Sequence, residues 1–152
     1  MIQPPVFRRL RILAFDPSLA TRLDTAGIND ISVEIPWEDN LSRGPVGEYI
    51  EVVDFDPASG MFYAPVDLNH PHQLAQDGLP PSESNPQFHQ QMVYAVAMNT
   101  IRHFERALGR VALWADRSVK VGEHDYREQF VRRLRIYPHA LRHRNAYYSP
   151  DK

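Results

Sequence analysis

Asn85–Gly109, NPQFHQQMVYAVAMNTIRHFERALG, is the longest stretch of the 152-residue chain with a helical period, and its reading decides the fold. Asn85 is a good N-cap. Pro86 takes the first helical position, where its missing N–H costs nothing, and Gly109 supplies the stop. Phe88, Met92, Ala95, Val96 and Asn99 form one row, and Val93, Ala97, Ile101, Phe104 and Leu108 an adjacent one. Together they make an apolar arc wider than a surface helix needs, so burial on two sides is expected, with Phe104 inside the core. Arg102, Glu105 and Arg106 return to solvent near the C-terminal end, where cations suit the helix dipole.

Outward from this helix the chain reads as short strands and proline-rich turns. Val6–Phe15 and Ile31–Glu38 alternate apolar and polar residues, the mark of half-buried strands. Between them Asp16, Pro17 and Ser18 can cap a short helix, Leu19–Ala26, which Gly27 ends. Tyr49–Phe55 and Met61–Val66 flank Asp56–Gly60 as a hairpin, and Asp67–Glu83 is a connector with three prolines and no period. Beyond Gly109, Val111–Trp114 is extended and Asp116–Asp125 polar and loop-like. Phe130–Tyr137 and Asn145–Tyr148 read as the last strands. The expectation is an α+β fold: a twisted, mainly antiparallel sheet of about five or six strands packed on one long central helix. One domain, spanning residues 1–152, accommodates a β-rich region over 1–70, the connector 71–84, the helix 85–109 and the strands of 110–152.

Composition narrows the function by exclusion. A net charge of −2 creates no field that points to nucleic acid or an anionic membrane. The absence of cysteine removes disulfides, thiolate metal sites and cysteine nucleophiles. Arg8, Arg9 and Arg11 interrupt any apolar run near the start, so no secretory signal is expected, and no run of about 18 apolar residues is present to span a membrane. A cytoplasmic setting is the default.

The chemically suggestive groupings fail one by one. Asp54 and Asp56 beside a turn resemble the start of a calcium loop, but Ala58 stands at the next ligand position and no acidic residue closes it. His139 and His143 have the i, i+4 spacing of a helical metal pair, yet Ala140 replaces the glutamate base and Pro138 opposes a helix. His70 and His72 flank Pro71 in a loop. His89 and His103 lie on one helix about 21 Å apart, at 1.5 Å rise per residue, and cannot share an ion. No nucleophile elbow, P-loop or dinucleotide fingerprint occurs. Arg8, Arg9 and Arg11 could form a basic strip with Arg132, Arg133 and Arg135 if their strands pair, but Glu34, Glu48 and Glu51 are available to neutralise it.

Gln87-Phe88-His89 through Ile101-Arg102-His103-Phe104-Glu105-Arg106, then Leu134–Tyr137, then Asn145-Ala146-Tyr147-Tyr148, follow one another in an order that resembles the N-terminal half of a thermolysin-like (gluzincin) zinc metallopeptidase. The resemblance runs from Asn85 to the C-terminus. It implies a zincin-like N-terminal subdomain in which Asn145–Tyr148 is an edge strand above a peptide-binding cleft. Asn145 and Ala146 would contact an extended peptide or protein substrate, and Tyr147 would pack behind them. The family's HExxH helix would follow this strand, but no HExxH occurs in the 152 residues. The chain therefore reads as the substrate-strand region of a longer peptidase, inactive alone, without catalytic or metal-binding residues of its own. Zinc would belong to the missing catalytic half, whose absence could leave an apolar surface open to homodimerisation. The alternative is a non-catalytic peptide- or protein-binding module that uses the same exposed edge.

Overall fold

A computed structural model describes residues 5–123, 125–141 and 145–149. The chain mixes helix and strand, as an α+β fold does. The single antiparallel sheet is not what forms. Among the described residues the strands pair two by two, in four separate ladders.

The longest ladder joins β1 (Phe7–Leu13) to β2 (Asp30–Pro36) in antiparallel register, with Leu10 opposite Val33 and Ile12 opposite Ile31. A 3₁₀ turn at Pro17–Thr21 and a four-residue helix α1 (Ala26–Asn29) link them, in place of one helix over Leu19–Ala26. The buried Asn29 side chain pins that corner, accepting from the Phe15 N–H at 2.7 Å and donating to the Asp16 carbonyl at 3.0 Å. On β1, Arg8 shares the buried face with Leu10 and Ile12. Its guanidinium donates to the Leu68 carbonyl and to Asn69, and lies 4.3 Å from the centre of the Trp37 ring.

β3 (Ile50–Val52) runs parallel to β8 (Leu134–Ile136), so the two do not belong to an antiparallel sheet at all. The expected long hairpin shrinks to two-residue strands, β4 (Phe55–Asp56) and β5 (Met61–Phe62). Polar residues expected to form a loop instead contribute β6 (Arg117–Lys120), which pairs with β7 (Tyr126–Gln129). The connector holds a short helix, α2 (Pro71–Ala75), capped by the His70 imidazole.

Helix α3 (Pro86–Leu108) lies against β1, β2 and β3. Asn85 caps it by accepting from the Gln87 N–H at 3.0 Å, and Gly109 closes it in the left-handed conformation at φ 64°. Its buried side is Phe88, Gln90, Gln91, Tyr94, Ala95, Met98 and Ile101. The second apolar row does not stay buried. Only Ile101 of that row is buried; Val93 and Ala97 are half-covered, Phe104 is 61% exposed and Leu108 is also exposed, as is Val96 of the first row. The buried stripe runs instead through Gln90, Gln91, Tyr94 and Met98, and Met98 is about 120° around the helix from Phe104.

The basic strip is not formed either. β1 and β8 sit in different ladders, and Arg9, Arg11 and Arg135 pair with Glu34, Asp30 and Glu51. Among the described residues no helix is long and apolar enough to cross a membrane.

Candidate functional site

Two places gather functional groups, and they share the turn that follows β8. The first is a groove of about 940 Å³ beneath the C-terminal segment. Val93 of α3, Ile136 and Tyr137 of the β8 region, and Leu141, Tyr147 and Ser149 are among its walls. Asn145, Ala146 and Tyr147, the residues marked by the resemblance, all line it.

They do so without forming a strand. Asn145–Ser149 has no regular secondary structure and pairs with no ladder among the described residues. Asn145 turns its side-chain oxygen back to accept from the Ala146 N–H at 2.9 Å. Tyr147 does not pack behind its neighbours; it is 60% exposed, as is much of Tyr148. The main chain here is therefore open rather than an edge of an existing sheet.

The second place was not legible from local spacing. Asp54 follows β3, His89 sits in the first turn of α3, and His139 lies in the turn after β8. Their side chains meet in a line. His139 Nδ1 is 2.5 Å from Asp54 Oδ1, and His139 Nε2 is 2.8 Å from His89 Nδ1. The other carboxylate oxygen of Asp54 accepts from Gln90 Nε2 at 2.8 Å. Gln90 is itself held, accepting from the Val66 N–H at 2.8 Å and donating to the Ala64 carbonyl at 3.2 Å. Tyr63 closes one side, its ring centre 5.1 Å from that of His139, and its N–H donates to the Asp54 carbonyl at 2.9 Å.

Asp54 is thus one end of a hydrogen-bonded chain that runs through two imidazoles. Its carboxylate is almost fully buried, whereas His139 remains partly open. Burial, then the neighbouring His139, holds the His89 imidazole below its usual value of 6.5; backbone acceptors at Glu83 and Ser82 and the charge of Asp54 pull the other way. His89 also lines a smaller cavity of about 370 Å³, with Leu13, Phe15, Ser82, Glu83 and Met92 among its neighbours.

The other sequence candidates take structural places. Asp56 accepts from the Ala58 N–H and the Ser59 hydroxyl and so shapes the β4–β5 turn, away from the position of Asp54 in the imidazole line. His139 lies in a turn, not on a helix, and His143, four residues on, falls outside the described residues. His103 is exposed on α3. Among the described residues no group of three or more His, Asp or Glu side chains converges as a metal cage; Asp54, His139 and His89 are strung in a row.

One sequence signal could have pointed here. Gln90 and Gln91 stand with Tyr94, Ala95 and Met98 on the covered side of α3, and buried glutamines require partners. Gln91 finds them at Leu79 and at the Arg11 carbonyl. No family model, curated protein or solved structure matches this chain.

Proposed function

We propose that the groove walled by Asn145–Ser149 binds an extended peptide, and that the chain is the substrate-strand portion of a zinc-dependent peptidase similar to the thermolysin-like group. In that reading the zinc and its HExxH helix come from outside these 152 residues, and the chain contributes substrate binding rather than bond cleavage. One observation carries it: a main-chain segment that joins no ladder among the described residues borders a groove large enough for several residues, and its Ala146 N–H is held by nothing firmer than the neighbouring Asn145 side chain. Unpaired N–H and C=O groups beside such a groove are a template for strand addition. Asn145 would donate its amide N–H to a peptide carbonyl, Ala146 lets the two main chains approach, and the exposed Tyr147 ring would be covered by the bound peptide.

Calorimetric titration with an extended peptide of about six residues tests the binding. Asn145→Ala should weaken it by about fivefold to tenfold, the worth of one hydrogen bond. A peptide N-methylated at alternate amides should not bind, because it cannot complete a ladder. Equal affinity for the methylated peptide would sink strand addition. The non-catalytic binding module uses the same groove and predicts the same titrations. Reading the coding sequence downstream of Lys152 separates the two: an HExxH codon run supports the peptidase, and a stop codon leaves the module.

A further inference from the structure

We propose that Asp54, His139 and His89 form an acid-operated latch that ties the turn after β8 to the start of α3. The latch is closed while the two imidazoles share one hydrogen, and it opens when His89 Nδ1 takes up a proton of its own. This inference stands apart from the peptide reading and concerns only how the C-terminal segment is held.

The geometry sets the rule. A nitrogen–nitrogen contact of 2.8 Å accommodates a single hydrogen between His89 Nδ1 and His139 Nε2. The line is complete when His139 Nε2–H donates to His89 Nδ1 and His139 Nδ1–H faces Asp54, which leaves the other His89 nitrogen to donate to the backbone acceptors at Glu83 and Ser82. A proton added on His89 Nδ1 would put two N–H groups nose to nose, with ring centres 5.0 Å apart. Asp54 touches only His139, and its pull on a charge at His89 is weaker than burial and the neighbouring ring. Gln90 Nε2 and the Tyr63 N–H fix the carboxylate and its backbone, so it cannot swing across.

The titratable groups facing the pair come from three directions. Asp54 is behind His139, the Tyr63 ring lies beside it, and Glu83 borders the cavity at His89 from the connector. Of these only Asp54 makes an ionic contact with the pair, and it contacts His139.

The direction of the effect follows from linkage. The His89 value lies below the unfolded 6.5, so in the window between them the unfolded chain binds more protons than the folded one. The stability held in the latch is complete above pH 6.5 and is lost as pH falls through the lower folded value. What opens is local. The segment bound by His139 begins directly after β8, and β8 is tied to β3 by the Val53 N–H, which donates to the Ile136 carbonyl at 2.9 Å. That amide is the reporter.

Hydrogen exchange on the whole chain, corrected for intrinsic rates, tests the latch at pH about 7.5 and about 5. The Val53 amide should lose protection by about tenfold or more at the lower pH, while amides of the β1–β2 ladder hold theirs. His89→Gln keeps a hydrogen-bonding group on α3 but cannot titrate, so its Val53 protection should be the same at both pH values. Unchanged protection in the native chain, or an equal acid loss in His89→Gln, overturns the latch. Should His89→Gln not fold, ring nitrogen shifts of the native histidines decide. Two separated protonation steps, the second coinciding with loss of Val53 protection, support it; one joint step, or a second step with protection retained, overturns it.

Discussion

Gln90 is an uncharged side chain on the buried face of α3, and it organises more of the interior than any apolar neighbour. Its oxygen takes the Val66 N–H, and its nitrogen serves both Asp54 and the Ala64 carbonyl. Val66 and Asp54 are deep enough that water cannot stand in, whereas Ala64 is exposed. Among the described residues no buried side-chain nitrogen or oxygen lacks a partner, so this satisfaction is the rule throughout the interior. Gln90→Leu keeps the shape but orphans the buried Val66 N–H and one oxygen of a buried carboxylate. Stability should fall by about 3 kcal/mol or more, measured by urea unfolding. A loss under about 1 kcal/mol would show that the pocket rearranges or admits water. Arg8 is a related case: burial pulls its guanidinium below the usual value, and the Leu68 carbonyl, Asn69 and the face of Trp37 make its charge tolerable inside.

At the scale of elements, α3 separates into a covered half and a projecting half. Met98 is buried in the core and Phe104, about 120° around the helix from it, stands largely in solvent. Met98→Ala should cost about 2–4 kcal/mol, and Phe104→Asp about 0.5 kcal/mol or less, by thermal or urea melts. A cooperative collapse in Phe104→Asp would mean that its ring is covered in solution. The helix boundaries are legible because Asn85, Pro86 and Gly109 act locally. Which of its faces is covered depends on where β1, β2 and β3 end, and no stretch of the helix encodes that. The β1 and β2 alternation is legible for the same local reason. β6 and β7 escape because their residues are mostly polar on both faces, and the β3–β8 pairing escapes because each strand is three residues long. His89 and His139 are 50 positions apart, so only the fold brings them together.

At the scale of the whole molecule, burial is concentrated in the first two thirds. Among the described residues, every buried hydrophobic side chain lies between Leu10 and Ile101. The segment from Arg110 onward packs its Ala112, Trp114 and Ile136 only partly against that core, and Tyr126–Gln129 is exposed along its length. Brief trypsin treatment should therefore cut first at Lys120, Arg127 or Arg132, well before any site in β1 or α3, as the masses of the earliest fragments will show. Early cleavage at Arg8 or Arg11 would contradict the burial of β1.

The parallel pairing of β3 with β8 also has a consequence in time. Glu51 and Arg135 are 84 residues apart, and α2 and α3 are both threaded between them. Closing so long a loop carries an entropic cost that grows slowly with length, so it is met most easily once the intervening chain is already compact. The β1–β2 ladder and α3 can assemble while the polypeptide is still emerging from the ribosome, whereas β8 arrives later and finds its slot prepared. The groove and the imidazole line, both hung on that strand, then form only after the β1–β2 ladder and α3 are in place.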